Sequence, residues 1–141
     1  MDNAQNKIYF CGSIRGGRND QQLYSDLIEF LQTYGTVLTA HVGEKDLSTD
    51  HELSSREIYD RDMVWMAQAD IVVAEVSTPS HGVGYEIARA VSLKKKILCL
   101  YNAGNGPSLS AMIAGCPDVQ TLGYYTVEEA KKAIKDFINI K

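Results

Sequence analysis

The most constraining feature of this sequence is the alternation of short apolar runs with amphipathic segments along its length. The clearest run, IVVAEV at residues 71–76, lies between segments whose apolar residues recur at helical spacing. Strands that are apolar on both faces are typical of parallel sheets covered by helices on both sides. The pattern predicts an α/β fold, a small doubly wound (Rossmann/flavodoxin-like) five-stranded parallel sheet with strand order 2-1-3-4-5. The length of 141 residues suits one domain over residues 1–141.

Capping residues, a glycine and a polar segment indicate where the helices and loops of the chain lie. Ser54 with Glu57, and Thr126 with Glu129, have the spacing of a helix capping box. Gly35 follows an amphipathic segment and is expected to end its helix as the C′ residue. Residues 40–53 are polar and aperiodic, and such long loops are usually functional or disordered. We predict strands over 8–11, 36–39, 71–76, 97–101 and 119–122, and helices over 20–34, 55–68, 84–93, 109–114 and from 126 onward.

Composition excludes several classes of protein. The net charge of −4 argues against binding to polymeric nucleic acid, which needs a basic surface. No apolar run approaches the ~20 residues of a membrane span, and the start has no signal-peptide core. The three cysteines and three histidines are scattered without metal-ligand spacing, so we expect no disulfide framework, no metal and no cofactor. We expect a cytoplasmic protein, or a nuclear one in a eukaryote.

The loop GSIRGGR at residues 12–18 joins a predicted strand to a predicted helix. Its glycines allow a ligand to approach the backbone, and amides near a helix start attract anions. Ser13 can supply a hydroxyl, while Arg15 and Arg18 supply donors suited to phosphate. The pattern is neither GxGxxG nor GxxxxGK[ST], so it predicts an anion site without specifying a dinucleotide or ATP. The alternative is a tight turn with solvated arginines. At the switch point of the sheet, this loop should meet the loop at residues 77–84.

Two carboxylates are candidates for acid–base or nucleophilic chemistry. Asp62 shares a helical stripe with Ile58 and Trp65, and an apolar environment raises the pKa of a carboxyl group, as suits a general acid. Alternatively, Asp62 turns to solvent or pairs with Arg61 or a lysine. Glu86 is expected in the first turn of its helix, where the helix dipole would keep it ionised. Alternatively, Glu86 only stabilises the start of the helix and has no part in chemistry. One protonated and one ionised carboxyl group would suit a two-carboxylate enzyme.

Four blocks of sequence carry a resemblance to a known family. They are IYFCGSIRGGR at residues 8–18, DMVWMAQADIVVAEV at 62–76, GVGYE at 82–86 and LSAMI at 109–113. Together, and in this order, they resemble the 2′-deoxynucleoside 5′-phosphate N-hydrolase family of the nucleoside 2-deoxyribosyltransferase-like superfamily. The resemblance implies cleavage of the N-glycosidic bond of 2′-deoxynucleoside 5′-monophosphates through a covalent glycosyl-enzyme intermediate, giving free base and 2-deoxyribose 5-phosphate.

The resemblance also implies roles for individual residues. Glu86 corresponds to the nucleophile, Asp62 to the acid that assists departure of the base, and Tyr9 to the tyrosine that orients the nucleophile and the sugar. Ser110 corresponds to a serine donated by the neighbouring subunit, which implies a homodimer. The other expected substrate contacts are Ser13, Ile14, Arg15, Gly16, Arg18 and Ser80 near the phosphate loops, with His41, Ile58, Gly82 and Met112 elsewhere around the substrate.

Three alternatives stay open. A nucleoside 2-deoxyribosyltransferase would pass the sugar to another base, but such enzymes carry an acid six residues before the nucleophile, where this chain has Ser80. An acid there would repel a phosphate, so the hydrolase is favoured over the transferase. A ribonucleotide N-glycosidase of the CMP type shares much of the pattern. A nucleotide-binding module without turnover is disfavoured, since Tyr9, Asp62 and Glu86 are all present.

Overall fold

The sheet has the strand order that the alternating pattern predicted. The computed structural model describes residues 6–14, 20–46, 48–104 and 109–140. Its five parallel strands are ordered β2-β1-β3-β4-β5, and each predicted strand end lies within two residues of the observed one. The strands are β1 (Asn6–Cys11), β2 (Gly35–Val37), β3 (Ile71–Glu75), β4 (Lys96–Asn102) and β5 (Gln120–Tyr124).

Six α-helices and one 3-10 helix are present in the described ranges. The α-helices are α1 (Gln21–Gln32), α2 (Ser48–His51), α3 (Ser55–Gln68), α4 (His81–Ser92), α5 (Ala111–Ala114) and α6 (Val127–Asn139), and the 3-10 helix is Ala40–Gly43. The predicted loop at residues 40–53 therefore contains two short helices. Where the chain is described, no helix combines the length and the apolar character needed to cross a bilayer.

Two capping signals have different outcomes. In α3 the full capping box forms, because the Ser54 hydroxyl accepts the Glu57 N–H and the Glu57 carboxylate accepts the Ser54 N–H. At the start of α6 only half of the box forms. The Thr126 hydroxyl accepts the Glu129 N–H at 3.2 Å, but the Glu129 carboxylate accepts the N–H of Tyr125 instead. Both signals still mark where a helix begins.

The prediction that Gly35 ends the first helix is wrong. Helix α1 ends at Gln32, its C-cap residue Thr33 keeps a right-handed helical conformation, and Gly35 is the first residue of β2. A Cβ atom at position 35 would lie 2.3 Å from the backbone oxygen of Asn6 on β1. Glycine is therefore required by the close approach of two strands, rather than by a left-handed helix end.

The start of α4 also differs from the prediction. The Ser80 hydroxyl accepts the N–H of Val83 at 3.3 Å and caps the helix, so α4 begins at His81 instead of residue 84. An N-cap hydroxyl satisfies one of the amides that the first turn leaves free. As a result Glu86 lies in the second turn of α4 and not in the first.

Side chains of the central strands alternate between two cores on opposite faces of the sheet. Ile8 and Phe10 of β1 point into the core that contains α1 and α6. Tyr9 and Cys11, one residue out of phase, point into the core beneath the α3 and α4 side. This alternation places the hydroxyl of Tyr9 on the side of the sheet that carries Asp62 and Glu86.

Candidate active site

The site lies where the loops after β1 and β3 leave the carboxyl edge of the sheet. Cys11 at the end of β1 is in register with Ala74 of β3, so the two loops begin side by side. The Thr78 hydroxyl, after β3, donates to Oδ2 of Asp20 at 3.2 Å, just before α1. The structure therefore confirms the predicted meeting of these two segments at the switch point.

Tyr9 and Glu86 form a direct pair at this edge. The fully buried Tyr9 side chain donates its hydroxyl hydrogen to Oε2 of Glu86. Burial and the neighbouring carboxyl groups raise the pKa of Tyr9 far above its ordinary value. The tyrosine hydroxyl therefore keeps its proton at physiological pH and remains a donor to the carboxylate.

Glu86 ionises less readily than its expected place at the helix start predicted. Burial raises the pKa of Glu86 from 4.5 to about 7, although the hydrogen bond from Tyr9 opposes this effect. The negative charge of Asp62 raises the pKa of Glu86 further. The expectation was wrong because Glu86 lies in the second turn of α4, beyond the free amides of the helix start, and in a partly buried place.

Asp62 combines the two explanations that its sequence position allowed. Arg61 donates Nε–H to Oδ1 of Asp62 at 2.9 Å, and the Asp62 side chain is 22% exposed. Burial raises the pKa of Asp62, and the adjacent guanidinium lowers it, with a net value above the ordinary one. Both carboxyl groups therefore have raised pKa values, and the negative charge of Asp62 contributes to that of Glu86.

A charged cluster surrounds Asp62 and includes residues that no sequence pattern indicated. Nη1 of Arg61 donates to Oδ1 of Asp50 at 2.7 Å, and Nη2 lies 3.3 Å from Nε2 of His41. The guanidinium carbon lies 4.8 Å from the centroid of the Trp65 ring. Asp50 had no signal because it belongs to the aperiodic segment, whereas Arg61 was considered only as a partner of Asp62. His41 lies at the site, as the resemblance implied.

Ser13 is the described part of the predicted phosphate loop. Its side chain is fully buried, its N–H donates to the Tyr24 hydroxyl at 3.1 Å, and its Oγ has no hydrogen-bond partner among the described residues. Buried hydroxyls are nearly always hydrogen-bonded, so this atom is suited to a ligand. The neighbouring Ile14 packs partly buried against the core beneath α1. The remaining predicted contacts in this loop, Arg15, Gly16 and Arg18, lie outside the described residues, and their roles stay predictions.

Three of the predicted substrate contacts line a cavity of about 570 Å³. Ser80, Ser110 and Met112 line this cavity, which opens between α4 and α5 beyond β3 and β4; Tyr9, Asp62 and Glu86 do not line it. Ser110 caps α5, and Met112 is 84% exposed. Gly82 lies next to Ser80 in the first turn of α4, and Ile58 lies half-buried one turn before Asp62 on α3. Ser80, Ser110 and Met112 therefore share one cavity in the single chain.

Glu75 is a further buried carboxylate at the same edge. Its Oε1 accepts the N–H of Ser77 at 2.8 Å, and its Oε2 accepts the Ser77 hydroxyl at 2.8 Å and the hydroxyl of Tyr124 on β5. The Ser77 hydroxyl in turn accepts the N–H of Asn102 at the end of β4. Glu75 thus joins three strands to the loop that leads into α4. Its sequence signal is limited to one acid inside the apolar run IVVAEV.

Comparisons with known proteins identify the family of this chain. The profile of the nucleoside 2-deoxyribosyltransferase family matches residues 8–133. A 5-hydroxymethyl-dUMP N-hydrolase of Tetraodon nigroviridis is 48% identical over 138 residues, which cover 94% of this chain and 97% of the relative. A protein of the same name from Mus musculus is 54% identical over 114 residues, 79% of this chain and 66% of the relative.

A solved structure shows the same fold at low sequence identity. The CMP N-glycosidase of Clostridium botulinum superposes with a TM-score of 0.69 at 18% identity, over 94% of this chain and 99% of that one. At such identity the likeness supports the fold alone. The profile match and the relatives near 50% identity confirm the resemblance drawn from the four sequence blocks. This chain belongs to the nucleoside 2-deoxyribosyltransferase family.

Proposed function

We propose that this chain is a hydrolase that cleaves the N-glycosidic bond of 2′-deoxynucleoside 5′-monophosphates to free base and 2-deoxyribose 5-phosphate. The observation that carries the proposal is the pairing of the buried Tyr9 hydroxyl with the carboxyl group of Glu86, next to Asp62. The relatives from Tetraodon nigroviridis and Mus musculus, which are named 5-hydroxymethyl-dUMP N-hydrolases, support the same reaction class.

In the first step Glu86 acts as the nucleophile. Tyr9 holds Oε2, and Oε1 accepts no hydrogen bond from any described residue, so Oε1 is free to attack C1′ of the sugar. As the new C–O bond forms, the C1′–N bond breaks, and its electron pair leaves with the base. Asp62 donates the proton that neutralises the departing base. The transition state resembles an oxocarbenium ion, which the nearby carboxylate stabilises.

In the second step water releases the sugar. A water molecule attacks C1′ of the glycosyl ester, the Glu86–C1′ bond breaks, and the ionised Asp62 takes the proton of the water. The configuration at C1′ is retained, because inversion occurs twice. A retaining pair of carboxyl groups lies roughly 5–5.5 Å apart, which is the separation we expect between Asp62 and Glu86 with substrate bound.

The two carboxyl groups share one proton in the active form. Glu86 must be ionised to attack, and Asp62 must be protonated to assist the base. Because the charge on Asp62 raises the pKa of Glu86, the groups titrate as a coupled pair. The profile of kcat/KM against pH should therefore be bell-shaped: it falls in acid when both groups are protonated, and in alkali, near pH 7, when the pair loses its last proton.

The 5′-phosphate anchors the substrate and thereby positions the sugar. The buried Ser13 hydroxyl, without a described partner, supplies one donor for a phosphate oxygen. Arg15 and Arg18 would supply charge, Gly16 the close approach of the backbone, and Ser80 a second contact. Binding energy from a group that does not react can hold C1′ over Glu86 and so lower the barrier.

The test is a panel of substrates assayed for free base by chromatography. Deoxynucleoside monophosphates should be hydrolysed, and the matching nucleosides without phosphate should react far more slowly. Glu86→Ala should lose at least about a hundredfold in rate. Equal rates with and without phosphate would contradict the role of the phosphate loop. A ribonucleotide arm decides the sugar class, and a new nucleoside formed from an added base would indicate a transferase.

We infer that the working enzyme is a homodimer in which Ser110 serves the site of the neighbouring subunit. The family resemblance motivates this assignment, and it is supported by the exposure of Ser110, which caps the four-residue helix α5, and of Met112 within that helix. Mixing Glu86→Ala with Ser110→Ala subunits should restore activity, because one site in the mixed dimer has both native residues. No recovery in a mixture shown to exchange subunits would argue that Ser110 acts within its own chain.

A further inference from the structure

Arg61 lies at the centre of the charged cluster, and the proposed mechanism gives it no task. We propose that Arg61 is a positioning residue for the reaction: its guanidinium holds one oxygen of the Asp62 carboxyl group and ties that group, through Asp50, to α2. The inference rests on the proposed function, since it takes Asp62 as the acid that assists the departing base.

One planar group bridges two carboxylates in this cluster. Arg61 donates Nε–H to Oδ1 of Asp62 at 2.9 Å and Nη1–H to Oδ1 of Asp50 at 2.7 Å. The face of the guanidinium lies against Trp65, with 4.8 Å between its carbon and the ring centroid. Because the donors of arginine are fixed in a plane, gripping Asp50 and stacking on Trp65 also set the direction of Nε–H.

The same bond selects which oxygen of Asp62 carries the proton. Oδ1 accepts the charge-assisted hydrogen bond from Arg61, while Oδ2 accepts none from the described residues. A proton on Oδ1 would displace the hydrogen of the arginine, so the proton resides on Oδ2. Arg61 thus orients the acid with its proton on the oxygen that is open to a substrate.

Arg61 also sets the pH range over which Asp62 holds that proton. Burial raises the pKa of Asp62, Arg61 and His41 lower it, and Asp50 raises it. Burial outweighs the adjacent guanidinium, so Asp62 keeps a raised pKa, and the charge of Asp50 adds to this effect. Three other ionisable groups at this site are influenced by Asp62, whose negative charge raises the pKa of each. They are Tyr9 and Cys11 on β1 and Glu86 on α4.

A second arginine on the same helix provides a matched comparison. Arg56 pairs with Asp60 one turn away at 2.9 Å, with side chains 83% and 54% exposed. Surface pairs of this kind contribute little to stability. The Arg61 and Asp50 side chains are only 22% and 10% exposed. Two arginines on α3 therefore differ in burial and in their contact with Asp62.

The experiment measures the titration of Asp62 in the free folded protein by carboxyl carbon NMR, alongside kcat/KM against pH. Arg61→Gln removes the charge and should raise the pKa of Asp62 by about one pH unit or more, moving the rate profile to higher pH with it. Asp50→Asn should shift the pKa of Asp62 in the opposite direction. Arg61→Lys keeps the charge, so it should shift the pKa less than Arg61→Gln while still lowering kcat. Arg56→Gln should change neither readout.

The NMR readout keeps this proposal separate from the proposed function. If the wild type hydrolyses no nucleotide, the proposed function fails, yet the effect of Arg61 on Asp62 is still measured. An Asp62 pKa unchanged in Arg61→Gln would overturn the proposal. So would shifts in the same direction for Arg61→Gln and Asp50→Asn, because simple loosening of the fold predicts that result. If Arg61→Gln does not fold, Arg61→Lys against Asp50→Asn gives the same comparison.

Discussion

Replacing Glu86 by glutamine should stabilise the folded protein above neutral pH while it abolishes hydrolysis. The folded protein holds the Glu86 proton more tightly than the unfolded chain does, with a pKa of about 7 against 4.5. Below the pKa of the unfolded chain, the protonated carboxyl group does not lower the free energy of unfolding. That free energy falls as the pH rises from about 4.5 to about 7. At about 1.4 kcal/mol per pH unit, the full loss is about 3 kcal/mol. Glutamine cannot ionise, and its carbonyl can still accept the Tyr9 hydroxyl.

Urea unfolding of the wild type and Glu86→Gln at several pH values measures this difference directly. The free energies of unfolding should be similar near pH 4.5, and the variant should be more stable by about 3 kcal/mol near pH 8. Glu128→Gln, at a side chain that is 84% exposed on α6, controls for the loss of one negative charge. The same preparations, assayed with a deoxynucleoside monophosphate, should show that only Glu86→Gln is inactive.

The reasoning would be refuted by a stability difference between wild type and Glu86→Gln that does not change with pH. That result would mean that the folded environment does not penalise the charge of Glu86. Retained activity in Glu86→Gln would refute a different step, the role of Glu86 as nucleophile, because an amide cannot form the glycosyl ester. The two readouts therefore test the electrostatics and the mechanism separately.

Three further substitutions test other contacts of the site. Tyr9→Phe removes a hydrogen bond that lowers the pKa of Glu86, so the alkaline limb of the kcat/KM profile should move to higher pH. Initial rates should also show a fall in kcat of roughly tenfold or more. Ser13→Ala should raise KM for a monophosphate by about tenfold and leave KM for the matching nucleoside unchanged. Calorimetry should find the ligand-free variant at least as stable as the wild type, because the Ser13 hydroxyl makes no hydrogen bond to a described residue. Glu75→Gln places an amide among donors from Ser77 and Tyr124, so thermal unfolding should show a loss of about 1–3 kcal/mol; an unchanged Tm would contradict this buried network.

Much of the fold could be predicted from the sequence, because the patterns that indicate strands and helices are local. Apolar runs and helical periodicity report burial on each element, and these predicted the five strands. Their order, which the structure confirms, came from the doubly wound fold class. The N-cap signal of Ser80 was also local, and reading it would have placed Glu86 in the second turn of α4. Gly35 shows the limit of such signals, since a glycine that permits the close approach of two strands looks the same as one that ends a helix.

The sequence by itself predicted the sheet and the family, and it singled out Tyr9, Asp62 and Glu86 as candidate site residues. Tertiary structure alone decided their protonation, because pKa values depend on burial and on charges that are distant in the chain. Tyr9 meets Glu86 across 77 positions, and Arg61 reaches Asp50 in a segment without periodicity. Neither contact leaves a trace in hydropathy or spacing. The raised pKa of Glu86 therefore became visible only once the chain was folded, whereas the raised pKa of Asp62 was one of the two interpretations of its helical stripe.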